Sequence, residues 1–182
     1  MSLTKLHSEA GMEWSTVVAY GVGYGLALSV AFTVALFAGA AASRDFLLND
    51  YPEPIQERYG RPKSARGRRV AVAFAVVVWG VCGVPLVTAA MVGLDGALED
   101  GLGFWSAAVC AGLVMLTLSL WDLFVVDWAV LAGLRPRLLT LPGTEGMEEY
   151  RDLRFHAVAA LKGAPLVVVV ALVAGGLAAL LA

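Results

Sequence analysis

The residues best placed to do chemistry are two aspartates inside a long apolar run. Asp122 and Asp127 stand in the stretch Trp121-Asp122-Leu123-Phe124-Val125-Val126-Asp127-Trp128. A carboxylate at the centre of a membrane-spanning helix costs about 2.5–3.5 kcal/mol on insertion scales. Such residues usually face a bundle interior and mark a pathway or a site. Depth separates the two. If the run enters a bilayer near Ala107, about twenty residues bring it to Val126. Asp127 then lies at the inner interface, where a solvated carboxylate is a sufficient account of it. Asp122 lies roughly 7–8 Å deeper at helical rise and is the anomaly. It is either a functional carboxylate or a polar staple bonded to another helix.

His156 and Lys162 fall near the same depth, at the start of the last apolar run. Lys162 reads either as an anchor snorkelling to the interface or as a partner of Asp127. His156 is either solvated at the interface, paired with Asp152 four residues earlier, or part of the site. Asp122, Asp127, His156 and Lys162 are therefore the candidate catalytic set, with Glu145, Glu148 and Glu149 nearby. Carboxylates with a histidine could hold a divalent metal or shuttle protons. The ligands lack a tight spacing motif, so the metal question stays open, and no cofactor is indicated. At 3.6 residues per turn, Asp122 and Asp127 lie ~140° apart around a helix and cannot easily reach one small ion. Trp121, Phe124 and Trp128 share another face, which packing explains, a pocket for a lipid tail or ring being the alternative.

Several chemistries have no motif here. Gly143-Thr144-Glu145-Gly146 lacks the Gly-Lys-Ser/Thr ending of a phosphate-binding loop. No His-Glu-x-x-His zinc motif occurs, and two histidines in the chain serve haem ligation poorly. No serine sits in a nucleophile elbow. Cys82 and Cys110 lie in apolar stretches and read as small buried hydrophobes.

The elements that must position these residues are apolar helices. Of the 182 residues, 59% are hydrophobic and only 15% charged, and the mean hydropathy is +0.77. Soluble domains run nearer half apolar and a quarter charged. The net charge of −2 argues against nucleic acid as a partner. Four apolar stretches are long enough to span, at about 14–43, 70–93, 104–133 and 157–182, within a single domain 1–182. The first is far too long for a signal-peptide core. Pro85 and Pro165 should kink the second and fourth.

Charge sets the orientation. The first loop carries Arg44, Arg58, Arg61, Lys63, Arg66, Arg68 and Arg69; the third carries Arg135, Arg137, Arg151 and Arg154. The second, Leu94 to Gly103, has no cation, and the N-terminal tail has only Lys5. The first and third loops are therefore expected in the cytoplasm and both termini outside. Trp14, Phe104 and Trp105 then mark the outer interface and Trp128 the inner one.

Both cytoplasmic loops should contain short helices. Asp50-Tyr51-Pro52-Glu53-Pro54 reads as a turn into a helix stopped by Gly60 and Pro62, with Ile55 and Tyr59 on one face. In the third loop, Thr144 is the expected cap of a helix running through Phe155 into the fourth span. Gly21, Gly25 and Ser29 recur every four residues. The strip is expected to pack inside this bundle, with a homo-oligomer interface as the alternative.

Three stretches carry a resemblance: Leu48-Asn49-Asp50-Tyr51-Pro52; Trp121 to Trp128; and Pro142-Gly143-Thr144-Glu145-Gly146-Met147 through Tyr150, Asp152, Phe155 and His156. Together they resemble an uncharacterised family of small prokaryotic four-helix integral membrane proteins. The resemblance covers the first and third loops and the third span, but not the first and second spans. It implies that the polar motifs belong together on the cytoplasmic side of a prokaryotic cytoplasmic membrane, and it implies no activity.

The expected fold is thus an all-α, multi-pass bundle of four transmembrane helices. The expected function is a membrane-embedded site, open to the cytoplasmic leaflet, that binds or modifies an amphiphilic, lipid-like small molecule. A small proton-coupled transporter or channel unit, and a non-catalytic accessory subunit, are the alternatives. Few polar groups lie in the outer half of any span, which weighs against transport.

Overall fold

The computed structural model describes residues 3–181, with side chains from residue 13 onward. The extreme ends of the chain, whose exterior placement the charge pattern predicts, lie outside the described residues. The described chain is all-helical, without a strand. Four helical segments are long and apolar enough to cross a membrane: Glu13–Ala42, Ala65–Asp95, Phe104–Leu134 and Leu153–Leu181. Helix α1 (Leu3–Ala42) contains the first. The second comprises α3 (Ala65–Ala75), a π-helical stretch (Val76–Gly83) and α4 (Val84–Asp95). The third is α5 (Phe104–Trp121) continued by a π-helical stretch (Asp122–Leu134), and the fourth is α6 (Leu153–Leu181).

In the second span the wide turns stop just short of Pro85. Proline has no N–H to donate and crowds the preceding turn, so a regular ladder cannot pass it unchanged. The expected distortion is therefore a run of wider turns. Pro165 lies inside α6 without ending it. The π-helical stretch of the third span has no proline to announce it. It closes with the Arg135 N–H donating to the Val130 carbonyl five residues back, at 2.9 Å. Arg135 itself is left-handed, with φ 49°, directly before Pro136, which disfavours helical backbone in its predecessor.

The chain forms two compact units. One comprises Met1–Leu28, Gly83–Ser119 and Gly163–Ala182. Its apolar centre is Val17, Ala90, Leu94, Leu98 and Cys110. Small residues let its helices approach closely. A Cβ added at Gly21 would lie 2.6 Å from that of Leu113, and one at Gly25 2.6 Å from that of Thr117. The small-residue strip is thus engaged within the chain at these two positions, and Ser29 is fully buried.

The other unit comprises Ser29–Cys82 and Leu120–Lys162, and includes both basic loops. Its core gathers Leu36, Phe46, Tyr51, Ile55, Val126, Leu141 and Tyr150 among others. Phe74 packs edge-on against both Phe32 and Phe46. The expected first-loop helix is α2 (Glu53–Tyr59), with proline in its first turn and Gly60 closing it at φ 64°. Ile55 is buried and Tyr59 packs beside it on the core, as their four-residue spacing predicts. Ahead of α3, the buried carboxylate of Asp45 accepts from Ser43 Oγ (2.6 Å), Ser64 N (2.6 Å) and Ser64 Oγ (3.2 Å). Ser64 Oγ in turn caps α3 by accepting from Gly67 N. One carboxylate thereby ties the end of α1 to the start of the second span. Burial pushes the Asp45 carboxyl up, but the bonds from Ser43 and Ser64 outweigh it and hold the group below its ordinary range.

The third loop differs from expectation. No continuous helix runs from Thr144. Gly143 and Gly146 adopt φ 84° and 86°, a short 3-10 turn covers Glu148–Arg151, and α6 begins at Leu153. Asp152 serves the helix start instead, its Oδ1 accepting from Phe155 N at 3.0 Å. The Thr144 hydroxyl is engaged elsewhere, donating to the Leu141 carbonyl and lying 2.7 Å from Tyr150 Oη.

Large parts of the second and fourth spans face outward. Only 11% and 6% of their most apolar stretches are buried, against 28% and 33% for the first and third. Val72, Val76, Val81, Val84, Leu172 and Leu180 are among the exposed residues. So much uncovered apolar surface is unfavourable in water and natural in lipid.

Candidate functional site

The site grows out of the third span where it turns π-helical. In that geometry the backbone bonds join residues five apart, so residue i+5 lies nearly above residue i rather than on another face. Asp122 and Asp127 are five apart and both lie within the stretch. The ~140° separation expected for a regular α-helix does not apply to them. The two carboxylates instead come within electrostatic reach of each other.

Asp127 has a partner, but not the one that equal depth suggests. Its Oδ2 lies 3.3 Å from Nδ1 of His156, in the first turns of α6. His156 is only 3% exposed. Its ring therefore sits almost wholly inside protein, with one nitrogen on a carboxylate. Nε2, the other nitrogen, is buried with no hydrogen-bond partner. Lys162 is exposed and forms no ion pair among the described residues. Six helical residues separate it from His156, which turns it about 120° away around α6. Its position suits the anchoring reading. Asp152 does not hold the imidazole either, since its carboxylate serves Phe155 N.

Asp122 is partly buried and feels the charges of Asp127, His156 and Asp50. The Ser119 hydroxyl, an obvious partner by sequence, donates to the Met115 carbonyl in its own helix. Asp50 is the residue that sequence reasoning overlooked. It ends the short 3-10 turn Leu48–Asp50 and read only as part of a turn. The neighbouring residue holds it in place. Tyr51 is buried, its Oη donates to the Leu139 carbonyl at 2.6 Å, and its ring packs edge-on against Tyr150. Tyr150 Oη in turn accepts from Leu141 N at 3.0 Å. Burial, then Tyr150 and Asp50, push the Tyr51 phenol up, so it keeps its proton and remains a donor. Asp50 itself is exposed; desolvation by the neighbouring protein still pushes its carboxyl above its ordinary range, with Lys63 opposing the shift and Asp127 adding to it. The signal that could have exposed Asp50 was its place beside an aromatic-proline pair in a loop, which is what anchors a turn to a core.

The glutamates of the third loop do not join this group. Glu145 accepts from Gly143 N at 2.8 Å, and Glu148 lies between Arg135 (3.8 Å) and Arg151 (3.3 Å). Among the described residues, no three His, Cys, Asp or Glu side chains come together as a metal cage would require. Of the aromatic stripe, Trp121 donates to Thr33 Oγ1 at 3.0 Å and so staples the third span to α1. Phe124 and Trp128 pack edge to face, 4.9 Å between centroids.

Chemically, the pair is an oriented imidazole. A carboxylate beside Nδ1 orients the ring and favours a proton on that nitrogen. A carboxylate–histidine pair of this kind binds donors and accepts protons. The three stretches that carry the sequence resemblance thus meet in one unit: the first contributes Asp50 and Tyr51, the second Asp122 and Asp127, and the third Tyr150 and His156. No protein family, curated protein or solved structure matches the chain.

Proposed function

We propose that this chain is a multi-pass protein of the prokaryotic cytoplasmic membrane, with both basic loops in the cytoplasm. We further propose that the cluster around Asp122, Asp127 and His156 is a binding site for an amphiphilic small molecule entering from the inner leaflet. The observation that carries this reading is the His156–Asp127 pair, an imidazole almost wholly buried on one carboxylate with a second carboxylate within electrostatic reach. Burying an imidazole beside a carboxylate in an apolar span without a task is costly. Their place at the ends of the third and fourth spans suits a ligand with a polar head and an apolar tail.

Transport is less well supported. The buried polar residues among those described are Ser29, Asp45, Thr140, Thr144 and His156, all in the unit with the basic loops. The buried core described in the other unit is apolar.

The test is native mass spectrometry of the protein purified in mild detergent. The wild type should carry an amphiphile that is lost from Asp122→Asn and His156→Gln while both variants keep their helical spectrum. Equal ligand content in all three proteins would remove the site reading.

A further inference from the structure

We infer that Arg66, Arg68 and Arg69, on the outward face at the start of the second span, bind the phosphate of an anionic phospholipid in the inner leaflet. The inference rests on the proposed membrane placement of the chain and concerns a surface separate from the site around Asp127 and His156.

The three arginines fall in the first turns of α3, and all are exposed. Gly67, between them, faces the other way, buried against the carboxylate of Asp45. At 3.6 residues per turn, Arg69 lies within about 60° of Val72 and Val76 around the helix, and Arg66 and Arg68 flank that line. Val72 and Val76 are 64% and 57% exposed. The arginines therefore stand at the head of a face that suits lipid. They have no countercharge in the chain. No acidic residue stands between Glu57 and Asp95, and none of the three forms an ion pair among the described residues. Asp45 is buried, and its carboxylate accepts from Ser43 and Ser64 instead. Arg68 Nη1 donates to the Lys63 carbonyl at 2.8 Å and Arg69 Nε to the Ala65 carbonyl at 3.4 Å. Those bonds steady the side chains without neutralising them. Nor do the arginines serve the helix, since cations in a first turn oppose its dipole. A partner must bring negative charge and lie over apolar surface at the same time. A phospholipid with a net negative head does both. Its phosphate accepts from guanidinium N–H groups, and its acyl chains lie along Val72 and Val76. A soluble phosphate or an acidic peptide would leave the valines uncovered, and a zwitterionic lipid would leave the cations uncompensated.

The test titrates the full chain, purified in mild detergent, with phosphatidylglycerol or with phosphatidylcholine of the same acyl chains. Bound lipid is counted by native mass spectrometry, a readout in which orientation plays no part. Wild type should bind phosphatidylglycerol about tenfold more tightly than phosphatidylcholine, or more. Each of Arg66→Gln, Arg68→Gln and Arg69→Gln should weaken phosphatidylglycerol by about fivefold, the effect of one basic side chain near anionic lipid, and leave phosphatidylcholine unchanged. A control removes the same charge elsewhere. Arg58→Gln, Arg61→Gln and Arg137→Gln together, all at exposed positions, should keep the preference. The two lipids compared on wild type decide the matter even if a variant does not fold. Equal binding of the two lipids by wild type, or equal losses in the α3 and control variants, would overturn the inference. Asp122→Asn and His156→Gln should keep the preference for phosphatidylglycerol, whatever becomes of the amphiphile site. Its loss in either would place the lipid at that site rather than on α3, and the inference would fail while the site reading stood.

Discussion

The phenol of Tyr51 donates a 2.6 Å hydrogen bond to the carbonyl of Leu139, joining residues 88 positions apart. The bond links the first basic loop to the third, and the Tyr150 ring stands edge-on to that of Tyr51, 5.7 Å away. Asp50 precedes Tyr51 directly, so its place relative to Asp127 depends on this contact. Replacing Tyr51 with Phe keeps the ring packing and removes the donor. The Leu139 carbonyl is then left without its partner, and the loss should be about 1–3 kcal/mol. A lower unfolding temperature in mixed micelles, with helix content unchanged, is the expected reading. A variant as stable as the wild type would show that the loops do not depend on this bond.

Asp45 should give the protein a measurable acid sensitivity. Its folded-state carboxyl titrates below the ordinary value of 3.8 because Ser43 and Ser64 donate to the ionised form. A depressed carboxyl contributes stability that is complete above its unfolded value and is lost as pH falls through the folded one. Wild type should therefore lose stability as pH drops below about 4, and Asp45→Asn should lose less over the same window. At neutral pH the Asn variant should already be weaker, by about 1–3 kcal/mol. Parallel pH profiles for the two proteins would contradict this account.

Glycines on α1 offer a paired comparison. A Cβ at Gly25 meets Thr117 at 2.6 Å, whereas one at Gly23 meets nothing within 4 Å. Gly25→Leu should overpack the contact and cost about 1–3 kcal/mol. Gly23→Leu should be tolerated. Chemical or thermal unfolding in detergent decides it, and equal effects at the two positions would mean that α1 does not pack through this strip.

Asp122 separates a staple from a site. Asp122→Asn keeps shape and hydrogen bonding but removes the charge, and Asp122→Leu removes both. A structural staple tolerates the first change and loses stability in the second. A charge-dependent site loses its ligand in both. Unfolding and ligand content measured on the same preparations distinguish the two, and neither role survives if both variants match the wild type.

Orientation is tested by reporters. One placed within residues 61–69 should report the cytoplasm, and one within Leu94 to Gly103 the exterior. The opposite result would invert the proposed topology and move the site to the outer face.

Much of this molecule was legible in the sequence because it depends on sums over neighbouring residues. Hydropathy over about twenty positions is a local property, and it locates four apolar helices whatever they pack against. Proline and Gly60 around α2 act through their own backbone, so that short helix was readable too. The small-residue strip on α1 was readable as a packing surface, but only the positions of Leu113 and Thr117 show what lies against it. The candidate site divides along the same line. Asp122, Asp127 and His156 stood out as ionisable groups in apolar surroundings. Their relationship did not, because it depends on a π-helical stretch that no proline announces and on a pairing across 29 positions. Reading the third span at 3.6 residues per turn separated two carboxylates that the wider turns bring together. Equal depth favoured Lys162 for Asp127, but depth does not fix the angle around α6, and that angle gives the contact to His156. Asp50 reaches the cluster only because Tyr51 is held against Leu139, a contact between distant segments that only the tertiary structure decides.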